Sequence, residues 1–140
     1  MKIRLIDTGP FVAYLDRDDP AHAAIAEILD SYSGRLATTP AVITETMHLL
    51  ARIPDGPALA AELIAGGDIE TFECTRPSQL VQAAALMRKH RDTPMDFADA
   101  TLVLLADDIG VTDIVTLDRR GFSTYRTPAG KRFMIVGNRR

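Results

Sequence analysis

The chain has 140 residues, of which 46% are hydrophobic and 25% charged, and it carries a net charge of −3. That length and balance describe one soluble domain, residues 1–140, with enough chain to bury a substantial core. They exclude a general electrostatic attraction to nucleic acid, and no apolar run approaches the length of a membrane span.

In chain order, a short apolar run at 2–6 predicts a first strand that ends at Asp7. Pro10 suits the first turn of a helix over 10–16, and Asp19-Pro20 opens a second over 20–32. A strand at 35–38 runs into Thr39-Pro40, the cap and first-turn residue of a helix over 40–52. Ile43, Met47 and Leu50 fall at i, i+4 and i+7 of that helix as a core-facing stripe. Val42 and Leu49 widen its apolar side enough to meet a second neighbour or a partner subunit. The segment from Ile53 to Pro57 is a turn, followed by a helix at 57–66 and a strand at 69–73. The next helix, 77–91, has Leu80, Ala83, Ala84 and Met87 on one face, read as core packing. A helix at 96–109, apolar nearly all round from Phe97 to Ile109, leads to strands at 113–117 and 132–136. Short apolar strands alternating with longer helices predict a three-layer α/β/α sandwich with a mostly parallel central sheet.

Four acids stand out against this frame. Asp7 and Asp118 each follow a strand, where both reach the crevice at the carboxyl edge of an open parallel sheet. Asp99 begins the apolar helix, with Asp96 three residues before it, and Glu45 is flanked one turn away by Ala41 and Leu49. A charge in apolar surroundings is costly unless it is paired or holds a metal, and no lysine is evident beside any of the four. Carboxylates about 4 Å apart repel by about 4 kcal/mol at an effective dielectric of 20. Mg²⁺ or Mn²⁺ relieves that repulsion and keeps open positions for water and phosphate oxygens. Each acid alone has a structural reading. Asp96 suits a helix N-cap with Asp99 at N3, Asp7 a cap before Gly9-Pro10, Asp118 the start of a turn, and Glu45 a partner for an arginine. The set of four is what points to chemistry. Thr8 and Thr116, beside Asp7 and Asp118, are candidates to orient those carboxylates, or else serve capping and strand propensity.

The remaining polar residues add less. His22, His48 and His90 are too far apart to suggest zinc, and His48 reads as a surface residue. Cys74 is the single cysteine, so no intrachain disulfide forms, and a small packed side chain is expected. Asp7 and Asp16 interrupt the N-terminal apolar stretch, so no secretory leader is expected and the protein is placed in the cytoplasm. Positive charge gathers at Arg88-Lys89-His90-Arg91, Arg119-Arg120, Lys131-Arg132 and Arg139-Arg140. Each alone reads as a solvated helix end or tail, but several near an acidic metal site would guide a polyanion.

The motifs Leu5-Ile6-Asp7-Thr8-Gly9-Pro10, Val42-Ile43-Thr44-Glu45-Thr46, Pro94-Met95-Asp96-Phe97-Ala98-Asp99-Ala100 and Thr116-Leu117-Asp118-Arg119-Arg120-Gly121-Phe122 follow one another along nearly the whole chain. In this order and spacing the chain resembles the PIN-domain family, and within it the VapC-type toxins of toxin–antitoxin pairs. The resemblance implies a Mg²⁺- or Mn²⁺-dependent ribonuclease. Asp7, Glu45, Asp99 and Asp118 would be its principal acids and Asp96 an accessory ligand. It also implies an RNA substrate, a homodimer and an antitoxin that inserts a peptide near the site. The chain departs from the pattern at Gly121, where relatives often carry an acidic or polar residue.

The resulting expectation is a metal-dependent endoribonuclease. Two rivals remain. One is a phosphatase with Asp7 as aspartyl nucleophile, against which Gly9 stands where a second aspartate usually lies. The other is a domain of the same fold that binds RNA or a partner without turnover.

Overall fold

The computed structural model describes residues 2–137, so the Arg139-Arg140 pair lies outside the described residues. Five strands form one sheet: β1 (Ile3–Ile6), β2 (Arg35–Thr38), β3 (Ile69–Thr71), β4 (Asp113–Val115) and β5 (Met134–Ile135). Their order is β3-β2-β1-β4-β5 and every pairing is parallel. In the central strand β1, Leu5 stands opposite Ala37 on one side and Ile114 on the other.

Parallel neighbours need long crossovers, and helices supply them. α1 (Thr8–Leu15) and α2 (His22–Asp30) join β1 to β2, while α3 (Pro40–Leu50) and α4 (Gly56–Gly66) join β2 to β3. α5 (Pro77–Lys89) and α6 (Phe97–Ile109) carry the chain from β3 to β4, and α7 (Arg119–Thr124) leads towards β5. The chain steps outward from β1 to β3, then crosses to β4 on the far side of β1. Right-handed crossovers in opposite directions put helices on both faces, which gives the three layers. Strand order reverses between β1 and β4, so their carboxyl ends border the natural ligand crevice of such a sheet.

The core gathers at this centre. Leu5, Ile6, Phe11, Leu102, Leu105, Ile114 and Phe122 are all fully buried. α6 is buried without interruption from Ala100 to Ala106, since it packs against both α3 and α5, which explains its nearly uniform apolar sequence. Thr39 caps α3 through its hydroxyl, which accepts from the Val42 amide at 3.4 Å. Its hydroxyl also meets that of Thr101 at 2.8 Å, tying α3 to α6. Cys74 is buried.

Four local expectations need correction. The face that α5 turns inward is Gln79, Ala83, Leu86 and His90, with Met87 beside it, whereas Leu80 and Ala84 are exposed. Gln79 is drawn in because its side-chain carbonyl accepts from the Arg76 amide at 3.0 Å, and that turns Leu80 to the outside. In α3 the buried stripe is Val42, Thr46 and Leu50, one position round from the expected one, with Ile43 and Met47 only half-buried. The turn expected after Asp118 closes into the six-residue α7. The last strand shrinks to Met134–Ile135, because Arg132 bridges Arg126 in antiparallel fashion instead of joining the sheet.

Candidate active site

Asp7 is the first residue beyond β1. Its backbone amide still donates to the Val115 carbonyl at 3.1 Å, which holds it against β4. The chain then turns into α1, and Asp7 serves as its N-cap, with Oδ1 accepting from the Thr8 amide at 2.8 Å. Oδ2 accepts from the Thr116 hydroxyl at 2.7 Å. The carboxyl group is only 7% exposed. Burial pushes its pKa up to about 6; the Thr116 and Thr8 hydrogen bonds pull against that, and Asp96 and Asp118 push with it.

Asp99 and Asp96 form a reciprocal capping box at the start of α6. Asp96 Oδ1 accepts from the Asp99 amide at 2.8 Å, and Asp99 Oδ2 accepts from the Asp96 amide at 3.1 Å. The capping expected of Asp96 therefore holds, and it aims Asp99 towards Asp7. Burial, then the charges of Asp7 and Asp96, push the Asp99 pKa up to about 8.

The other two acids are held by threonines or by a helix end. Glu45, on α3, accepts from the Thr8 hydroxyl at 2.8 Å. Asp118 caps α7, its Oδ1 accepting from the Gly121 amide at 2.9 Å. Its own amide donates to the Thr116 hydroxyl at 3.0 Å, so Thr116 connects Asp118 to Asp7. Both threonines thus orient carboxylates. A Cβ added at Gly121 would collide with Asp118 Oδ2 and come within 3.0 Å of the Tyr125 hydroxyl. The departure at Gly121 is thereby explained: the Asp118 carboxylate fills the space a side chain would take.

Asp7, Glu45, Asp96, Asp99 and Asp118 line one open pocket of about 480 Å³, together with Thr8, Gly9, Leu49 and Leu117. All five expected site residues are brought together, and among the described residues no basic side chain lines the pocket. Among the described residues, no three acidic, histidine or cysteine side chains close into a ready-made ligand cage. The donors are all oxygen and loosely spaced. That suits a small hard cation that takes one or two carboxylates and keeps several waters. It does not suit zinc, which favours a tight set including nitrogen or sulfur. The residues present therefore fit Mg²⁺ or Mn²⁺. The histidines stay apart, as expected: His22 Nδ1 lies 2.7 Å from the Ala13 carbonyl, and His90 packs edge-on against Tyr125.

The family model for the PIN domain matches residues 4–127, a span that contains all five acids. The chain belongs to the PIN-domain family. Ribonuclease VapC26 of Mycobacterium tuberculosis (strain ATCC 25618 / H37Rv) is 38% identical over 134 residues, covering 94% of this chain and 98% of that protein. That full-length likeness makes this a VapC-type PIN domain. Its fold is shared with Mycobacterium tuberculosis VapC20, a sarcin-ricin loop cleaving toxin, at a TM-score of 0.75 and 21% identity over 84% of this chain and 91% of that one. VapBC2 from Rickettsia felis, bound to a DNA fragment from its promoter, matches at a TM-score of 0.58 and 13% identity over 85% of this chain and 90% of that one.

Two features of this PIN domain escaped the sequence reading. Tyr125 is fully buried behind the acids, and its hydroxyl donates to the Pro94 carbonyl at 2.7 Å, two residues before Asp96. Burial, reinforced by Asp99, Asp118, Asp96 and Asp7, pushes its ionisation well above the usual phenol range, so it remains a donor. The only signal in the sequence was an aromatic three residues after Phe122. The second feature is a groove beside the acid pocket, bordered by Glu45 and Asp96 and including His48. His48 is exposed, as expected, yet it lines this groove.

Proposed function

We propose that this VapC-type PIN domain is a toxin endoribonuclease that hydrolyses RNA phosphodiesters at the acid pocket with Mg²⁺ or Mn²⁺. One observation carries the reading: five carboxylates line one pocket, where burial, together with their mutual repulsion, raises the pKa values of Asp7 and Asp99. The name of VapC26 as a ribonuclease and the description of VapC20 as a sarcin-ricin loop cleaving toxin support it.

In this reading Asp7 and Asp99 are the most direct metal ligands, while Glu45 and Asp118 bind a second ion or position water. Asp96 is an accessory ligand through the oxygen that capping leaves free. The bound cation supplies charge neutralisation, activation of a water and stabilisation of the leaving oxygen. The protein supplies placement. Thr116 and the Thr8 amide fix both oxygens of Asp7, each of which keeps a lone pair for a ligand. The Thr8 hydroxyl fixes Glu45. An aspartyl-phosphate mechanism is less well supported, since Gly9 stands where such a site would carry its second aspartate.

The same reading includes a homodimer, for which exposed Leu80 and Val81 on α5 offer apolar surface. It includes a cognate antitoxin, supported by the VapBC2 structure that shares the fold. It also includes a cytoplasmic location. Among the described residues, no helix is long and apolar enough to cross a membrane.

The test is to incubate the purified protein with a pool of structured RNAs in Mg²⁺ or Mn²⁺ and map the new ends. Cleavage at defined sites is expected, and it should vanish with EDTA and in Asp7→Asn and Asp99→Asn. Undiminished cleavage by both variants would sink the assignment.

A further inference from the structure

Resting on the ribonuclease reading, we propose that Lys89, Arg126 and Arg132 form a surface that grips the phosphate backbone of the RNA strand on the flank of the acid pocket. Arg126 follows α7 and stands opposite Arg132 across an antiparallel bridge. The Thr127 amide donates to the Lys131 carbonyl at 3.0 Å, so the two arginines are a pair without mutual backbone hydrogen bonds, the kind whose Cα atoms approach to about 4.5 Å. Their side chains leave the same face, where directly opposed like charges are destabilising. Arg126 Nη1 is fixed in place, donating to the Ser123, Thr124 and Tyr125 carbonyls at 3.0, 3.0 and 2.9 Å. Lys89, the last residue of α5, adds a third charge: burial, then the charges of Lys89 and Arg126, hold the His90 imidazole below its usual range. Among the described residues, ion pairs join Lys2 to Asp113, Arg35 to Glu70 and Arg52 to Asp16, and none joins these three cations to a carboxylate. That holds for Asp92 beside Arg91 and for Asp107 and Asp108, which border a hollow with Pro128.

Position and charge select the occupant. His90 meets the Tyr125 ring edge-on, with centroids 5.1 Å apart, and the Tyr125 hydroxyl donates to the Pro94 carbonyl. From Lys89 the surface continues through exposed Arg91, Asp92 and Pro94 to exposed Asp96, which lines the acid pocket. The cations and the carboxylates therefore lie along one exposed edge. The chain is net negative and the pocket holds five carboxylates, so a polyanion is attracted only where a local surface has the opposite sign. A phosphate offers oxygens to two guanidinium groups at once. An acidic peptide reaching from this surface to the pocket would bring carboxylates to a place already built of five. An RNA strand brings there the phosphodiester that the bound cation takes up.

The experiment measures binding of a randomised single-stranded RNA pool to Asp99→Asn, the non-cleaving parent, across a salt series. Lys89→Gln and Arg132→Gln are each added to that parent. Arg35→Gln, at the start of β2 on the opposite edge of the sheet, is the control of equal charge change. All three side chains are exposed, so none of the variants threatens the fold. Each surface variant should weaken binding several-fold, alike for all sequences, and flatten the slope of log affinity against log salt by about 0.7. Arg35→Gln should change neither. With the acid pocket intact, the loss should fall on KM rather than on kcat. No RNA binding, unchanged affinity in both surface variants, or an equal loss in Arg35→Gln overturns the proposal. So does a surface variant that keeps its RNA affinity but loses a co-expressed antitoxin, since an acidic protein segment would then be the occupant. RNAs held through this surface but never cut by the wild-type chain in Mg²⁺ or Mn²⁺ would overturn the nuclease reading and leave the surface standing.

Discussion

The Thr116 hydroxyl donates to Asp7 Oδ2 at 2.7 Å and so pins the carboxylate that follows β1 from the residue just beyond the neighbouring strand β4. Because the same oxygen accepts the Asp118 amide, one side chain sets the relative placement of two acids. Thr116→Val keeps the shape and removes the hydroxyl. It should lower Mg²⁺ affinity or cleavage by about 10- to 100-fold, the usual cost of losing a group that orients a metal ligand. Unfolding in urea should register a loss of about 1–3 kcal/mol from the unpaired partners. Wild-type metal affinity in Thr116→Val would refute the orienting role.

Stability of the metal-free protein should fall as pH rises. Asp7 has its folded pKa raised to about 6 and Asp99 to about 8, both above the value of 3.8 for a free aspartate. Between those limits the native state binds more protons than the unfolded chain, so the unfolding free energy decreases with pH. The contribution is fully present below about pH 4 and is lost as pH passes through about 6 for Asp7 and about 8 for Asp99. For the buried Asp7 alone the change is roughly 3 kcal/mol. Urea titrations in EDTA from pH 4 to pH 8.5 measure it. The parent is compared with Asp7→Asn, so that the difference reports Asp7 alone. A difference that does not change with pH would contradict the burial argument.

Asp99→Asn should separate activity from stability. It removes a charge that neighbouring acids oppose, while the amide oxygen can still accept the Asp96 hydrogen bond. The variant should lose cleavage and yet melt above the parent at pH 8 in EDTA. Adding Mg²⁺ should raise the parent's melting temperature by more than the variant's. A variant that melts below the parent under these conditions would show that Asp99 is not under electrostatic strain.

Gly121→Ala should act through Asp118. Its new methyl group competes with Asp118 Oδ2 for one space, so the carboxylate must leave its position at the start of α7. Cleavage should fall at least tenfold, about 1.4 kcal/mol of transition-state stabilisation. In an Asp118→Ala background the same substitution should cost little more. That non-additivity is the mark of two residues sharing one interaction, and independent effects in the double variant would refute it.

Much of this site was legible in the chain because its acids sit at local signals. Asp7 ends an apolar run, and Asp96 and Asp99 have the spacing of a helix start, so strand and cap patterns point to them directly. α7 was hidden because Arg119 to Thr124 is too short to show a helical apolar period. The inward face of α5 was misread because a polar Gln79 is buried while Leu80 and Val81 are exposed, a choice made by a cap hydrogen bond and not by hydropathy. Tyr125 and the groove at His48 depend on contacts between distant segments, such as Tyr125 with Pro94, which no local pattern records.

The central position of β1 also sets when this protein can become active during its own synthesis. β1 gains its β4 neighbour, and Asp7 gains both Thr116 and Asp118, only after more than a hundred further residues have been made. A chain still attached to the ribosome short of β4 holds Asp7, Glu45, Asp96 and Asp99 but has no frame to bring them to their final places. Arrested nascent chains that end at Gly110 should therefore leave RNA in the translation mixture intact, whereas released full-length protein cuts it. A catalyst dangerous to RNA would thus stay harmless until its last strands emerge.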